Sequence, residues 1–576
     1  MTNEELLKQL EDLTKDAMRH QVHTLLSIVQ HQCGVRYLRQ HFSGQAAPID
    51  VTAFKRAVPL SSYDDYADYI NQLADGTADH DQPLLSVDPL VCFFSSTGTT
   101  SMKPKLIPYF DSALSKAASF LGHQGSGALL KRLFPPRPAI SKIMWFLYGD
   151  NITITKGGMK VMAASTYPLQ SGNSNASQSM LLSCTSPREV ILGSNFEQQI
   201  YCHLLCGLRN FDLVDGIRAP YAIGLIKAFG LLESKWEQLC DDVEKGFPSL
   251  EINDVSMRDS VVQVLGGPQP DLSKRIRSFC EEKNWGGIVS KLWPNTRYIR
   301  CVTTGSMKHY YSRLAHYAGE VPILGGDYFA SECCVGINLD IKQPPESTRF
   351  VMLPTAAYFE FLPFDSKENK TVAEEIVDFD GVEIGKMYEV VVTTYRGLYR
   401  CCLGDIVKVV GFYNSSPEVE FVMRAPKTSS EIVTEKDLTS AVERFQLELR
   451  NMGIVIEIME FACSIHIDVN KRLKIFVEIE DGCMLLQEDQ LQNSIPILKR
   501  CSSFLEDTMG GIYKVQKDRD ELCPLAISIL KPGSFDRLRQ MAISKGAPAS
   551  QYKVPRILRN HEFVDLLEAS ALVTIN

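Results

Sequence analysis

The chain has 576 residues, of which 45% are hydrophobic and 22% are charged, and its formal net charge at pH 7 is −9. This length allows two or more domains, and the composition is that of an ordinary globular protein. A negative net charge without a long basic run excludes nucleic acid as the expected main partner, because neutralising phosphates requires a clustered cationic surface.

The sixteen cysteines are scattered and form no C-x-x-C pair, which is typical of reduced thiols in a cytosolic protein. The amino terminus is acidic and polar, unlike a signal peptide, and the carboxyl terminus has no prenylation or peroxisomal signal. No stretch reaches the roughly 18 apolar residues of a membrane span. We therefore expect a monomeric, cytoplasmic protein without a membrane partner.

Leucines at helical spacing predict helices over residues 4–42. From there to about residue 345, strand-like and helix-like segments alternate, which predicts α/β layering. Within this part, residues 90–94 and 142–148 are predicted strands and residues 224–239 are a predicted helix.

Residues 348–424 change character to short β-rich runs, which predict a barrel-like β-subdomain. A cluster of Pro and Ser at residues 425–430 predicts a hinge. Beyond it, Thr434 starts a predicted helix with a sequence close to a capping box. We expect an α/β protein with a large N-terminal domain over residues 1–424 and a smaller, mobile α+β C-terminal domain over residues 431–576.

The most informative stretch is residues 93–108, where a predicted strand breaks into a run of hydroxyl side chains around Gly98 and continues as Lys103-Pro104-Lys105. After a strand, such a loop can wrap backbone N–H groups and hydroxyl donors around phosphate oxygens. The alternative is a solvated Ser/Thr-rich turn, since turns are built from the same residues.

Two further motifs carry carboxylates. Tyr328 and Glu332 follow an apolar segment, and an aromatic with a carboxylate at a strand end can stack a base and hold Mg²⁺ near phosphates, although such residues are more often structural. Gly404 and Asp405 place a carboxylate at a predicted turn between strands, where it can accept hydrogen bonds from both ribose hydroxyls. In isolation, Gly-Asp is a plain turn signal.

In order and spacing these motifs are similar to those of adenylate-forming enzymes: a Ser/Thr/Gly loop, Tyr-x-x-x-Glu at residues 328–332, Tyr-Arg-x-x-x-Gly-Asp at residues 399–405, a hinge and a small C-terminal domain. Over nearly its whole length the sequence resembles the plant Gretchen Hagen family of acyl acid amido synthetases. Stretches that carry the resemblance include Leu292-Trp293-Pro294-Asn295-Thr296, Tyr358-Phe359-Glu360-Phe361 and Gln551-Tyr552-Lys553-Val554-Pro555-Arg556.

The resemblance implies an adenylate-forming fold and a ligase that uses ATP and Mg²⁺. Its substrates would be a free amino acid and a small acyl acid of the indole-3-acetate or other auxin, jasmonate or substituted benzoate class, joined as an amide. The alternative is a catalytically weakened homologue that binds hormone or nucleotide as a non-enzymatic regulator. Departures from the family pattern support this alternative: Thr97 is inserted in the loop, Met102 replaces a glycine, Phe329 adds bulk at a small or polar position, and Ile432 aligns where relatives carry a lysine.

The resemblance also implies roles for individual residues. Glu332 would position Mg²⁺, Asp405 would hold the ribose, and Lys553 would approach the phosphate or the adenylate, so these three are the expected catalytic residues. The expected nucleotide contacts are Ser95, Ser96, Thr99, Thr100, Tyr328, Phe329, Ala330, Ser331, Glu332, Asp405 and Lys553. The expected pocket for the acyl acid or the amino acid includes His123, Ser165, Thr166 and Tyr399.

Two smaller patterns have alternative interpretations. His123 either lines the acyl pocket or caps the helix before it, and a cap is the more common arrangement. Cys202, His203 and Cys206 have a helical spacing that would suit a soft metal. Because no fourth ligand is evident and leucines surround them, we interpret them as part of a packed helix.

Overall fold

The computed structural model describes residues 2–42, 50–79, 81–95, 105–149, 152–170, 180–249, 252–365, 370–372, 375–426, 432–466, 471–547, 549 and 552–576. Several residues singled out in the sequence lie outside this set, namely Ser96, Thr97, Thr99, Thr100, Met102 and residues 427–430 of the predicted hinge.

The helical prediction for residues 4–42 is confirmed, with the segment divided into Asn3–Lys15, Ala17–Gln32 and Arg36–Phe42. The first helix begins with a capping box. The Glu5 N–H donates to the Thr2 hydroxyl at 3.2 Å, and the Thr2 N–H donates to the Glu5 carboxylate at 2.7 Å.

The predicted α/β layering is present as a four-stranded parallel sheet, whose strands run in the order Lys142–Trp145, Val214–Tyr221, Ile299–Val302 and Ile323–Gly325. Helices before and after Val214–Tyr221 bury their apolar faces in the largest core of the protein. The strand predicted over residues 142–148 ends earlier, at Trp145, because the N–H of Leu147 turns back to the carbonyl of Trp145.

A second sheet contains the strand predicted before the phosphate loop. Its order is Leu106–Phe110, Leu90–Ser95, Lys160–Met162 and Thr153–Ile154. The first two strands pair antiparallel with Ser95 opposite Leu106. Both ends of the predicted phosphate loop therefore lie side by side at one end of this sheet.

The β-rich region forms most of an eight-stranded antiparallel sheet. Its strands run in the order Lys370–Thr371, Tyr358–Asp365, Met387–Thr393, Cys401–Tyr413, Ser416–Arg424, Phe350–Met352, Cys334–Ile337 and Tyr328–Phe329.

The predicted turn at Gly404 and Asp405 is wrong, since both residues lie inside the strand Cys401–Tyr413. The register of this strand shifts between Glu389 and Val391 of its neighbour, and Gly404 has φ +73°. A bulge with a glycine in the left-handed region re-aims the next side chain without ending the strand. Asp405 is thereby placed on a rigid element.

The C-terminal part is built on a five-stranded mixed sheet in the order Ile557–Leu558, Ile458–His466, Arg472–Ile479, Ala526–Leu530 and Ala571–Ile575. The predicted helix start is confirmed: Thr434 caps the helix Glu435–Asn451 and accepts a hydrogen bond from the Asp437 N–H at 3.1 Å. The molecule is thus an α/β protein with a smaller α+β C-terminal part, as the sequence predicts.

The remaining described α-helices connect these sheets and cover their faces. They are Val51–Ala57, Ala67–Asp75, Ala113–Leu133, Tyr167–Gln170, Arg188–Ile191, Phe196–Arg209, Ala222–Lys245, Val255–Leu265, Pro270–Cys280, Ile288–Leu292, Tyr311–Ala318, Glu488–Thr508, Gly511–Asp518, Ser534–Ser544 and His561–Glu568. Among the helices of the described residues, none combines the length and apolar character that crossing a membrane requires.

Candidate active site

A cavity of about 970 Å³ lies where the parallel sheet, the eight-stranded sheet and the C-terminal part meet. The carboxyl ends of the parallel strands contribute Trp145, Tyr221 and Val302, and the C-terminal part contributes Glu435 and Lys553. Ligands of open α/β sheets bind at this edge of the strands, and this volume is at the upper end of the range for small-molecule sites.

Asp405 lies buried at the cavity wall between a hydrogen-bond donor, Tyr328, and an ion-pair partner, Arg424. The Tyr328 hydroxyl donates to its Oδ2 at 2.6 Å, and Arg424 Nη1 is 2.5 Å from its Oδ1. Burial and the neighbouring Asp405 charge raise the pKa of Tyr328, so this phenol stays protonated and remains a donor. The carboxylate is therefore oriented before any ligand arrives.

Glu332 lines the same cavity, three residues beyond the strand Tyr328–Phe329. Burial raises the pKa of its carboxyl, and the positive charges of Arg424 and Lys105 partly oppose that shift. A desolvated carboxylate flanked by cations gains from a further positive charge, so Glu332 is suited to receive a cation brought with a phosphate.

Lys553 reaches the cavity from the C-terminal part. Its ammonium lies 3.7 Å from the ring centroid of Tyr221, a cation–π contact across the boundary between the two parts. The Lys553 charge also acts on the carboxyl of Glu435. Burial raises the pKa of Glu435 above its usual value, and the charges of Arg556, Arg424 and Lys553 partly oppose this rise. Lys553 thus belongs to a cluster of charged side chains on the side of the cavity that the C-terminal part forms.

His123 lines the cavity and does not cap a helix. The cap prediction is wrong because His123 lies in the middle of the helix Ala113–Leu133, which continues for several turns. Its ring stacks on Phe329, with centroids 5.0 Å apart and an interplanar angle of 26°. The extra bulk of Phe329 noted in the sequence is therefore placed against His123, and 45% of this phenylalanine remains exposed.

The structure separates the other predicted site residues into two groups. Ser165, Ala330 and Ser331 line the cavity with those already described. Ser95, Thr166 and Tyr399 are not among its lining residues. For the last two this is a correction: the Thr166 hydroxyl is buried and donates to the Tyr148 carbonyl, and the Tyr399 hydroxyl donates to the Leu85 carbonyl inside the core.

Several cavity residues were not found from the sequence. They are basic: Arg218, Arg300, Arg396 and Arg424. The available signal was their position, because Arg218 and Arg300 lie on neighbouring parallel strands and Arg424 ends the last strand before the hinge. Arg396, in the short connection between two strands, was visible only as a cation beside a glycine.

The interpretation of Cys202, His203 and Cys206 as core residues is confirmed. All three are buried on the helix Phe196–Arg209. The two ring nitrogens of His203 are engaged by the Ser186 hydroxyl at 2.7 Å and the Leu147 carbonyl at 2.9 Å. Burial lowers the pKa of His203 to about 4, so the ring is neutral at pH 7.

A buried ion pair within the C-terminal part is bonded to the rest of the chain through Tyr310 and Ser306. Arg556 Nη1 contacts the carboxylate of Glu460, and the Tyr310 hydroxyl donates to the other oxygen of that carboxylate. Arg556 also donates to the Ser306 carbonyl at 3.4 Å. In the sequence, Arg556 appeared only as the end of the stretch that contains Lys553, and nothing in the pattern distinguished its structural contacts.

Comparison with known proteins finds three matching family domains: the GH3 family N-terminal domain over residues 6–323, the GH3 family central domain over residues 350–424 and the GH3 family C-terminal domain over residues 436–562. A probable indole-3-acetic acid-amido synthetase GH3.6 of Oryza sativa subsp. japonica is 47% identical over 69% of this chain and 82% of that protein.

A jasmonoyl-L-amino acid synthetase GH3.5 of the same organism is 34% identical over 96% of this chain and 94% of that protein. Among solved structures, AtGH3.15 acyl acid amido synthetase in complex with 2,4-DB matches with a TM-score of 0.86 and 30% identity, covering 100% of this chain and 97% of that one. On these matches, the chain belongs to the GH3 family.

Proposed function

We propose that this protein is an ATP-dependent ligase that adenylates a small acyl acid and transfers the acyl group to an amino acid as an amide. The observation that carries the proposal is the convergence of Tyr328, Glu332, Asp405 and Lys553 on one cavity in a chain of the GH3 family. The relatives named as synthetases of indole-3-acetic acid and jasmonoyl conjugates support the class of acyl acid.

Two steps follow from this proposal. In the first, a carboxylate oxygen of the acyl acid attacks the α-phosphorus of ATP, the bond to pyrophosphate breaks, and an acyl-adenylate forms. In the second, the neutral amine of the amino acid attacks the acyl carbon, the bond to AMP breaks, and the amine loses a proton. Holding both partners in one cavity supplies the orientation that such a displacement requires.

The side chains on the cavity wall fit the parts of the nucleotide. Tyr328 offers an aromatic ring for the adenine, and Asp405 offers an oriented carboxylate for ribose hydroxyls. Among the described residues, Asp405 Oδ1 accepts no hydrogen bond although it pairs with the Arg424 charge, so it is open to a ribose hydroxyl, whereas Oδ2 already accepts from Tyr328. Lys553 would supply positive charge to the phosphate or the adenylate.

Mg²⁺ is part of the proposal as a companion of the phosphates. Within the described residues, no group of three or more His, Cys, Asp or Glu side chains could hold a metal ion. Mg²⁺ is commonly held by one or two carboxylates plus substrate phosphates and water, and the half-buried Glu332 on the cavity wall fits that role. The ion would neutralise phosphate charge that repels an anionic acyl acid.

The proposal extends to organisation. We propose the boundaries predicted from the sequence: an N-terminal domain over residues 1–424, a hinge over residues 425–430 and a mobile C-terminal domain over residues 431–576. The protein would act as a monomer in the cytoplasm, where its sixteen free cysteines would stay reduced.

The test is a pyrophosphate-release screen of the purified protein with Mg-ATP over auxin acids, jasmonate and substituted benzoates, with and without amino acids. Mass spectrometry of the products identifies the amide. Acid-dependent pyrophosphate release followed by an amide product would support the proposal. Nucleotide binding by calorimetry without turnover of any acid would contradict it and favour the non-enzymatic alternative.

A further inference from the structure

Arg396 is a cation in the cavity wall, and no anionic partner for it is found among the residues that the structure describes. Its Nε donates to the Ser115 hydroxyl at 3.1 Å, and its guanidinium carbon lies 4.6 Å from the ring centroid of Tyr109. Among the described residues, its Nη groups donate no hydrogen bond and no carboxylate lies within ion-pair distance. Arg396 is a partly buried charge without a counter-charge, and an anionic ligand would supply that counter-charge.

The carboxylates that line the cavity interact with cations other than Arg396. Asp327 pairs with Arg300 at 2.8 Å, and Asp405 pairs with Arg424 at 2.5 Å. The cations that act on Glu332 are Arg424 and Lys105, and those that act on Glu435 are Arg556, Arg424 and Lys553. None of these four carboxylates neutralises Arg396.

The chain holds Arg396 in a rigid position. It lies in the short connection between the strands Met387–Thr393 and Cys401–Tyr413, where its N–H donates to the Thr394 hydroxyl at 3.2 Å. The next residue, Gly397, has φ +85°, and a Cβ there would lie 2.5 Å from the carbonyl oxygen of Leu85. Because this turn is tightly packed, the Arg396 side chain is pre-organised to meet a ligand from one direction.

The groups around the guanidinium are neutral hydrogen-bonding or apolar groups. Ser115, Ser119 and His123 recur every four residues on one face of the helix Ala113–Leu133, and all three line the cavity. Partial desolvation inside the cavity and the Arg396 charge lower the pKa of His123, which favours the uncharged ring. This part of the wall therefore places the fixed positive charge of Arg396 beside neutral donors and acceptors, which suits a carboxylate.

The position of Arg396 relative to the nucleotide residues indicates which substrate supplies this carboxylate. Successive side chains of a strand point to opposite sides. Tyr328 points to Asp405, whereas Phe329 points to His123 on the side where Arg396 lies. The residues that Arg396 contacts belong to the N-terminal part, and Lys553 and Glu435 are not among them. The acyl acid, rather than the nucleotide or the amino acid, is the partner on this side.

We propose that Arg396 is a specificity-determining residue that binds a second anionic group, most simply a second carboxylate, on the acyl acid. This inference rests on the proposed function for the identity of the cavity as an acyl acid site. It deepens that function by naming the substrate class: acids that carry one carboxylate for adenylation and another anionic group some distance away. A guanidinium binds a carboxylate through two parallel N–H donors, which fixes both distance and direction.

The test uses two dicarboxylates, benzene-1,4-dicarboxylate and benzene-1,3-dicarboxylate. Each is compared with its own monomethyl ester, in which one of the two carboxylates has lost its charge. Calorimetry measures binding to the full-length protein, and pyrophosphate release with Mg-ATP measures kcat/KM without amino acid. We expect at least one dicarboxylate to be preferred over its ester. In Arg396→Gln the preference ratio should fall about 10- to 100-fold, and Arg396→Lys should restore part of it.

The control is Arg349→Gln, which removes an arginine that pairs at 3.8 Å with Glu420 outside the cavity lining. Equal binding of both dicarboxylates and their esters to the unmodified protein would overturn the proposal, as would a preference that Arg396→Gln leaves intact. A rise in the amino acid KM alone in Arg396→Gln would also overturn it and assign Arg396 to the amino acid carboxylate.

Failure of the two proposals can be told apart. A calorimetric preference for a dicarboxylate that depends on Arg396, without pyrophosphate release from any acid, would contradict the ligase and retain the specificity site. Pyrophosphate release from the esters with no preference for the dicarboxylates would retain the ligase and reject the site. Should Arg396→Gln fail to fold, the comparison within the unmodified protein and Arg396→Lys still decides.

Discussion

The hydroxyl of Tyr328 and the carboxylate of Asp405 are joined by a 2.6 Å hydrogen bond that spans two strands of the eight-stranded sheet. One residue comes from the edge strand Tyr328–Phe329 and the other from the bulge at Gly404. The bond therefore couples the two motifs that were separate in the sequence, and it fixes the carboxylate before the nucleotide binds.

This coupling predicts the effect of Asp405→Asn. The amide keeps the shape but loses the negative charge that faces Arg424, and we expect ATP binding to weaken by about tenfold or more, since hydrogen bonds to a charged group contribute about 1.5–3 kcal/mol. Calorimetric titration with Mg-ATP measures the change. Tyr328→Phe is the companion variant and should weaken binding less. Unchanged ATP affinity in Asp405→Asn would exclude contact between this carboxylate and the nucleotide.

Lys553→Ala should slow adenylation by at least about tenfold while leaving the protein folded. The ammonium lies on the ring of Tyr221 at the cavity, where positive charge would stabilise the phosphate in the transition state. Pyrophosphate release measures the rate, and the thermal midpoint reports folding. The matched control is Lys545→Ala, an exposed lysine of the same C-terminal part that pairs with Glu562. An equal loss in both variants would show that Lys553 has no specific role.

The fold was predictable where hydrophobic periodicity and turn residues determine it. Helical spacing located the first three helices, and the capping sequence at Thr434 located a helix start that the structure confirms. The bulge at Gly404 was not predictable, because a glycine followed by an aspartate is the same signal for a turn and for a bulge. Whether the chain turns or bulges there is decided by pairing with Glu389 and Val391, which lie on the neighbouring strand and outside the motif.

The candidate site was only partly predictable, because a motif does not state which of its residues face a ligand. Arg400 belongs to the same motif as Asp405, yet it lies buried with two 2.9 Å bonds to Glu360 and further bonds to the carbonyls of Lys55 and Val58. Its role is to hold three parts of the core together. Arg396, four residues earlier, faces the cavity although no motif marked it.

Glu460→Gln should destabilise the protein by about 3–5 kcal/mol at pH 7, because it removes one partner of a buried ion pair and leaves the charge of Arg556 uncompensated. Thermal or denaturant unfolding measures the loss. Glu521→Gln, an exposed position outside the helices of the same C-terminal part, is the control and should change stability by less than about 0.5 kcal/mol.

The same pair predicts a pH dependence. Burial raises the pKa of Glu460, but Arg556, His309 and Tyr310 outweigh burial and the pKa ends below its usual value. A depressed folded pKa gives stability that is complete above the unfolded pKa of about 4.3 and is lost as the pH falls through the folded value. The stability gap between the unmodified protein and Glu460→Gln should stay constant from pH 7 to 5 and narrow below that. A gap that narrows between pH 7 and 5 would contradict this assignment.

His203 predicts a second pH effect with a different window. Its folded pKa is about 4, whereas an unfolded histidine titrates near 6.5. The unfolded chain therefore takes up a proton first, and stability falls as the pH drops from about 6.5 towards 4, by up to about 3 kcal/mol. In His203→Gln the share of this pH dependence that comes from His203 should disappear, whereas the share from His309, whose pKa burial also lowers to about 4, should remain. The same variant should lose about 1–3 kcal/mol at pH 7, because the bonds to Ser186 and Leu147 are broken.

The control for His203 is His23→Gln, which alters an exposed histidine on the second helix.

Added zinc tests whether His203 and its neighbouring cysteines form a packed core or a metal site. Burial raises the pKa of the neighbouring Cys206 thiol to about 12, so a thiolate is not available near pH 7 and zinc should leave the thermal midpoint unchanged. A zinc-dependent rise in the midpoint that His203→Gln abolishes would overturn the core interpretation.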